Sequence, residues 1–391
     1  MRFEEAYDGW QDRRLTQEQA AQLLGVCERT FRRYIDRYEE AGMEGLMDKR
    51  ISEVSSRRAP VDEVLRLEAL YKERYDGWSV KHFFERYQDE HKGQRSYTWV
   101  KSRLQASALA PRGKRRGTQR RRRPRAPLPG MMIHQDGSTH EWVPGQVWDL
   151  IVTMDDANSE IYSAFFVEEE GTLSSFQGVR ETLLQKGLFS SFYSDRGSHY
   201  WVTTEAGDKV DKRRLTQFGR AMNQLGIQMI AAYSPEARGR SERFFRTLQD
   251  RLPKELALAN VTTMEAANAF LRRTYLKRFN RRFMVTPTEP GSAFVPLLGV
   301  DIDNILCRQV ERQVSKDSCV SYQGMTLELP QGPQFRHFAR KTVKVHEYPK
   351  GNLALFHGPR HLASYTANGR LKGQTKKAAA YTLSLHDALP I

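Results

Sequence analysis

Residues 112–125 read R-G-K-R-R-G-T-Q-R-R-R-R-P-R, and nine of the fourteen are basic. Like charges at that density repel one another, and nothing apolar stands among them to bury, so no core can be built there. The run is a linker, expected over 111–130, and Pro124, Pro127 and Pro129 stiffen its exit. It divides the chain into two parts, each of which must fold around its own apolar residues.

The part before the linker reads as helical. Thr16 followed by Gln19 makes a capping box for a short helix over 17–24, with Ala20, Leu23 and Leu24 as its inner face. Gly25 allows a tight turn. A second helix, over 28–41, sets Phe31, Tyr34, Ile35 and Tyr38 on one face and Arg29, Arg32, Arg33 and Arg37 on another. Helix, glycine turn and arginine-faced helix is the helix-turn-helix layout, whose second helix enters the major groove. An ordinary helical hairpin with a solvated basic face has the same pattern. A second such module follows, with helices over 62–74 and 79–90 and a third capped by Ser96. On that third helix Tyr97, Val100 and Leu104 share a face, while Lys101 and Arg103 lie outward. Two modules, 1–50 and 51–110, predict bipartite recognition of a long DNA site. The linker then serves as an arm on phosphates or the minor groove, through Arg120, Arg121, Arg122 and Arg123.

Beyond the linker the period changes to that of strands. Apolar runs over 131–135, 147–154 and 161–167 follow in close succession, with W-V-P-G at 142–145 marking a turn. A helix over 173–185, a short strand over 188–193, a helix over 213–225, a strand over 227–232 and a long helix from about 239 complete the series. Three strands and then alternating helix and strand predict an α/β core, 131–290, with a mixed sheet flanked by helices. Short β-rich runs over 319–322, 325–329, 342–345 and 353–356 predict a small β-rich domain, 291–365, read as a barrel. The last residues, 366–391, abandon the basic character of what precedes them and read as a tail, partly foreign to the protein.

The net charge of +15 calls for a polyanionic partner, and nucleic acid is the usual one. Cys27, Cys307 and Cys319 are far apart, with no metal-ligand spacing, which excludes a disulfide framework or zinc knuckle and fits a reducing cytoplasm. The start M-R-F-E-E-A-Y-D-G-W lacks the apolar centre of a signal peptide, and no apolar run is long enough to span a membrane.

Cutting and joining DNA needs little from a protein beyond acids that hold two hard cations. Carboxylates suit Mg²⁺, which prefers oxygen donors. Three segments offer an acid in a useful place: I-H-Q-D-G-S with Asp136 at the end of the first strand, F-Y-S-D-R-G-S-H-Y with Asp195 just past another, and Y-S-P-E-A-R-G-R-S-E-R-F-F with Glu242 in the first turn of the long helix. Taken singly each is weak, because acids at strand ends and helix starts are common.

Taken together, in this order, they resemble the D, D, E core of retroviral integrases and insertion-sequence transposases. D-R-G-S-H-Y is similar to the family's D-x-G-x-x-[FY] segment, and S-P-E-A-R-G-R-S-E to its P-x-x-x-G-x-x-E pattern. The paired helix-turn-helix units, the basic linker and R-F-N-R-R-F-M-V-T-P-T-E-P at 278–290 extend the resemblance to about 12–360, closest to the ISNCY group. It implies an RNase H-like core of five mixed strands. It implies catalysis and metal binding by Asp136, Asp195 and Glu242, with two Mg²⁺ or Mn²⁺ ions per site. It also implies a multimeric DNA complex that exposes a 3′-OH and transfers it to target DNA, in a bacterial cytoplasm at the nucleoid. Arg246 and Gln249, four and seven residues after Glu242, share its helix face, and the resemblance implies that this face touches DNA.

Two departures stand out. The gap from Asp195 to Glu242 holds 46 residues, longer than usual for the integrase family, and helix-turn-helix units replace the zinc-binding module of retroviral integrases. Rival acids are Asp155 and Asp156 in T-M-D-D-A-N, read as a hairpin turn with Asn158, and Glu236 before the long helix. His134, His140 and His199 are near the acids, but two-metal chemistry requires no histidine base. The other readings are a DNA-binding protein or repressor without catalysis, and an RNase H-like nuclease without joining activity.

Overall fold

The structure, a computed structural model, describes residues 2–48, 58–113, 123–203, 209–233, 235–330 and 338–372, with side chains in the long helix from Gly239 on. It has two compact units, Met1–Asp76 with Arg95–Pro111, and Gly77–Gln94 with Arg112–Ile391.

The first unit is helical: α1 (Phe3–Gln11), α2 (Gln17–Leu23), α3 (Glu28–Gly45) and α4 (Val61–Arg74), then α6 (Tyr97–Ala106) after the intervening α5 (Val80–Asp89). Thr16 Oγ1 accepts from the Gln19 amide at 3.2 Å and the Gln19 side chain accepts from the Thr16 amide at 2.9 Å, so the capping box forms as expected. Gly25, at φ +68°, makes the turn before α3. Ala41 and Gly42 break the helical path of α3 where the sequence ends that helix. No helix was expected over the residues of α1. Its Phe3, Tyr7 and Trp10 close over Phe31 and Ile35 and complete an aromatic core. Burying rings of this kind contributes about 1.5–3 kcal/mol each. In α4 and α6, Leu67, Tyr71, Val100 and Leu104 are buried, and Ser96 caps α6.

In the second unit, β1 (Met132–Val143), β2 (Gln146–Asp155) and β3 (Ile161–Val167) form an antiparallel meander. The helix α7 (Thr172–Lys186) leads to β4 (Ser191–Ser194). A small hairpin, β5 (Val202–Thr203) and β6 (Val210–Asp211), precedes α8 (Gln217–Gln224) and β7 (Gln228–Ala231). β4 runs parallel to β1 and β7 parallel to β4, so the five-stranded order is β3-β2-β1-β4-β7.

Alternation along the strands sends apolar side chains to both faces. Trp148, Leu150, Val152 and Met154 of β2 meet Phe245, Leu248 and Leu252 of α9 (Pro235–Leu258), together with α10 (Met264–Phe270) and α11 (Leu276–Phe283). On the other face Ile133 and Phe192 pack against α7 and α8 through Phe176, Val179 and Phe218. The segment with α5 groups with this unit. Glu85 accepts from Arg251 of α9 at 2.5 Å, and His82 meets Glu255 at 2.6 Å.

Toward the C-terminus, β8 (Arg308–Gln313), β11 (Thr342–Glu347), β12 (Leu353–His357) and β13 (Arg360–Tyr365) form an antiparallel sheet of order β13-β12-β11-β8, beside the hairpin of β9 (Cys319–Tyr322) and β10 (Met325–Glu328). Val320, Leu327, Val345, Leu355 and Tyr365 are its core. The β-rich domain is present, as two sheets among the described residues where a single barrel was expected. All three cysteines are free thiols. No described helix is long and apolar enough to cross a membrane.

Candidate active site

β1 and β4 pair in parallel at Met132 with Ser191, Ile133 with Phe192 and His134 with Tyr193. Two residues on from the last of these pairs stand Asp136, still within β1, and Asp195, just past the end of β4. A step of two along a strand returns a side chain to the same face, so Asp136 shares a face with His134. The His134 and Tyr193 rings lie 4.7 Å apart on that face. The two aspartates therefore come at matching register just where the parallel pairing ends. Asp136 is not at the end of its strand, as the sequence suggested: β1 runs on to Val143 because β2 continues to pair with it through the turn at Gly145.

Each carboxylate is steadied by a following backbone amide, Asp136 Oδ1 by Gly137 N at 3.1 Å and Asp195 Oδ1 by Gly197 N at 2.9 Å. Both act on one buried group. The hydroxyl of Tyr200 donates to Gln135 Oε1 at 2.9 Å, and burial first, then the charges of Glu170, Asp136 and Asp195, push its pKa well above the ordinary value.

Glu170 was missed in the sequence. Its carboxylate lies where a Cβ on Gly137 would stand, so a larger residue there would push it aside, and His199 Nε2 is 3.5 Å away. A glycine directly after a strand aspartate was the one available signal.

The helix α9 lies along β1 on the face of His134 and Asp136. Gln249 donates to Ser138 Oγ at 2.9 Å, and Arg240 is paired with Asp156, which His134 touches at 2.7 Å. Asp136 stands between His134 and Ser138 on the strand, and Glu242 between Arg240 and Gln249 on the helix. Glu242 is exposed, and it lies further into α9 than expected, since the helix starts at Pro235 and takes in Glu236. Among the described residues no three His, Cys, Asp or Glu stand close enough to hold one ion.

Asp155 and Asp156 do more than turn a hairpin. Asp155 accepts from Gly130 N and Ala157 N, both at 2.7 Å, and burial raises its pKa. Asp156 is fully buried and accepts from Ala126 N at 2.7 Å, from Arg240 and from Arg123 at 2.5 Å. Burial works against its charge, yet these partners and His134 outweigh it and hold the carboxyl well below the usual range. Burial favours the neutral imidazole at His134, against the pull of Asp156.

Of the residues expected on DNA, Arg29, Arg32, Arg33 and Arg37 form an exposed row on α3, though Arg32 is also held by Gln17 at 3.0 Å and Glu28 at 3.1 Å. Lys101, Arg103 and Arg246 are exposed, and Gln249 is half-buried on Ser138. Arg123 is drawn onto Asp156, while Arg120, Arg121 and Arg122 lie outside the described residues.

Residues 5–59 match the winged helix-turn-helix family model. The putative transposase y4bF of Sinorhizobium fredii is 31% identical over 346 residues, 88% of this chain and 75% of that protein. The transposase for insertion sequence IS1202 of Streptococcus pneumoniae is 32% identical over 228 residues, 56% of this chain and 47% of that one. Among solved structures, a chain of the simian T-cell lymphotropic virus intasome aligns at TM-score 0.35 and 14% identity, covering 74% of this chain and 91% of its own. The trimeric HTLV-2 integrase catalytic core with magnesium aligns at TM-score 0.28 and 15% identity, covering 36% and 82%. With its helix-turn-helix region, its central five-stranded mixed sheet and the extent of the first of these identities, the chain belongs to the transposase family and is a DNA transposase.

Proposed function

We propose that transposition here is DDE chemistry, in which Asp136, Asp195 and Glu242 hold two Mg²⁺ or Mn²⁺ ions while a phosphodiester is hydrolysed and the exposed 3′-OH is transferred to target DNA. The observation that carries this is the parallel register of β1 and β4, which supports two carboxylates side by side at matching strand positions. The donor set is all carboxylate oxygen, which suits a hard cation. Such ions supply an activated nucleophile and charge stabilisation at the leaving oxygen. The chain's own part is to orient. The Gly137 and Gly197 amides fix the two aspartates, and the contact of Gln249 with Ser138 keeps α9 alongside β1. Glu242 joins them from α9 once DNA is bound. The arginine row of α3, with Lys101, Arg103 and Arg246, takes the element ends, and joining two ends calls for a multimer, at the nucleoid.

The test is cleavage and strand transfer by the purified chain on labelled DNA from the ends flanking its gene. A joined product that needs Mg²⁺ or Mn²⁺ and disappears in Asp136→Asn, Asp195→Asn and Glu242→Gln, with DNA binding retained, is expected. Full activity in any one variant removes that residue from the site. Specific binding with no cleavage in either metal would make the chain a DNA-binding protein only.

A further inference from the structure

We propose that the cavity between α5, α9 and α11 is a second nucleic-acid site, which takes the phosphodiester backbone of a DNA strand on its arginines and one nucleotide against its buried polar groups. The proposal rests on the reading of the chain as a DNA transposase and adds a site apart from the three acids.

The cavity measures about 810 Å³, within the roughly 300–1,000 Å³ of a small-ligand site. Lys81 and five arginines line it, against Glu85, Asp89 and Glu255. Each glutamate is shared by two guanidinium groups. Glu255 accepts from Arg86 at 3.1 Å and from Arg278 at 2.8 Å, and Glu85 accepts from Arg251 at 2.5 Å and pairs with Arg282 at 2.8 Å. Glu90 also pairs with Arg86, and Asp89 lies 3.9 Å from Arg282, so these four arginines meet four carboxylates. The surplus positive charge is carried by Arg281, which makes no ion pair among the described residues. Arginine forks pair with phosphate oxygens in a bidentate way, which makes this surplus suited to a phosphate ester.

A second, independent observation points to a ligand. His82 and Tyr275 both line the cavity and are only 3% and 4% exposed, yet His82 Nδ1 and the Tyr275 hydroxyl have no hydrogen-bond partner among the described residues. Unpaired buried polar atoms are rare in folded proteins and call for an explanation. The tyrosine hydroxyl can donate to a phosphate oxygen. With Nε2 given to Glu255, the imidazole presents Nδ1 as an acceptor for a donor on a sugar or base. The half-buried ring of Phe283, stacked on Arg251 at 4.9 Å, offers a surface for a base.

A strand rather than a free nucleotide follows from where the cavity lies. Arg251 is on α9, the helix of Glu242, nine residues along and so about 13 Å away at 1.5 Å per residue. Nine residues are about two and a half turns, so the cavity opens on the side of α9 away from Glu242, and a strand reaches it from the acids by crossing the helix.

The experiment measures binding of the full chain to fluorescent end DNA across a salt series, for Arg281→Glu and Tyr275→Phe, with melting temperatures alongside. Arg281→Glu is expected to weaken binding about tenfold and to lower the salt slope by about one. Tyr275→Phe should weaken binding several-fold while melting at the same or a higher temperature, since it removes an unpaired hydroxyl. Deoxyadenosine monophosphate and inorganic phosphate at millimolar levels should not displace the DNA. Unchanged affinity and slope in both variants would overturn the proposal. So would a mononucleotide that stabilises the wild type but not Tyr275→Phe, with DNA binding unaffected. Strand transfer on the same preparations separates the two readings. Joining by the wild type with indifferent cavity variants rejects the cavity alone, whereas cavity variants that lose binding beside a wild type that never joins DNA reject only the DDE assignment.

Discussion

Gln249 donates to Ser138 Oγ at 2.9 Å and so ties the helix of Glu242 to the strand of Asp136. The contact is modest in energy, about 0.5–1.5 kcal/mol for a neutral hydrogen bond, but it sets where α9 lies along β1. Gln249→Ala should therefore lower strand transfer about tenfold, since small displacements of aligned groups are costly in rate. Thermal melting should move by only a few degrees. A melting loss with no change in rate would show that the contact is merely structural.

Asp156 and Asp195 each stand just past the end of a strand, but they should fail in different ways. Asp156→Ala leaves Arg123, Arg240 and His134 facing a buried gap and should cost about 3–5 kcal/mol of stability. Asp195→Asn keeps shape and hydrogen bonding and should melt near the wild type while losing catalysis. Denaturant unfolding of both variants, read beside a cleavage assay, checks the contrast.

The arginines of α3 should not contribute equally to recognition. Arg32 is engaged by Gln17 and Glu28, whereas Arg29, Arg33 and Arg37 make no ion pair among the described residues. Alanine at Arg33 should weaken end-DNA binding by about 1–3 kcal/mol if it reads a base, or lower the salt slope by about one if it meets phosphate. Arg32→Ala should do less. Binding isotherms at several salt concentrations decide between them.

Acid should loosen α5 from α9 through Glu255. Burial alone would raise its pKa, but His82, Arg86 and Arg278 bring it down to about 2 from 4.5. A carboxylate whose folded pKa is depressed stabilises the fold above its unfolded pKa and loses that contribution as pH falls through the folded one. The window is thus about pH 4.5 down to 2, and the contribution about 3 kcal/mol. Stability measured against pH should fall less steeply there in Glu255→Gln than in the wild type; equal slopes would show that the pair carries no such linkage.

Much of this was legible locally. The Thr16 capping box, the glycine turn before α3 and, apart from the extension of β1, the main strands of the central sheet depend on neighbours a few residues apart, and they formed close to where expected. Other elements were hidden because their partners are distant. In α1, Phe3, Tyr7 and Trp10 are ordinary residues in an acidic stretch until Phe31 lies beneath them. In β1, the polar run D-G-S-T-H-E at 136–141 lies past the expected strand, and only pairing with β2 keeps it extended. β8 and β13 carry too few apolar residues to announce an edge of a sheet.

The order of acids, the spacing of D-R-G-S-H-Y and of S-P-E-A-R-G-R-S-E, and the basic linker belong to the sequence by itself, because each is a local pattern of residue types. The tertiary structure alone decided that Glu170 stands against Gly137, that Asp156 is a buried hub for Arg123 and Arg240, and that α5 pairs with α9. The reason is the same in each case. A buried charge is stable only where opposite charges and donors reach it, and those groups come from segments that the chain brings together only on folding.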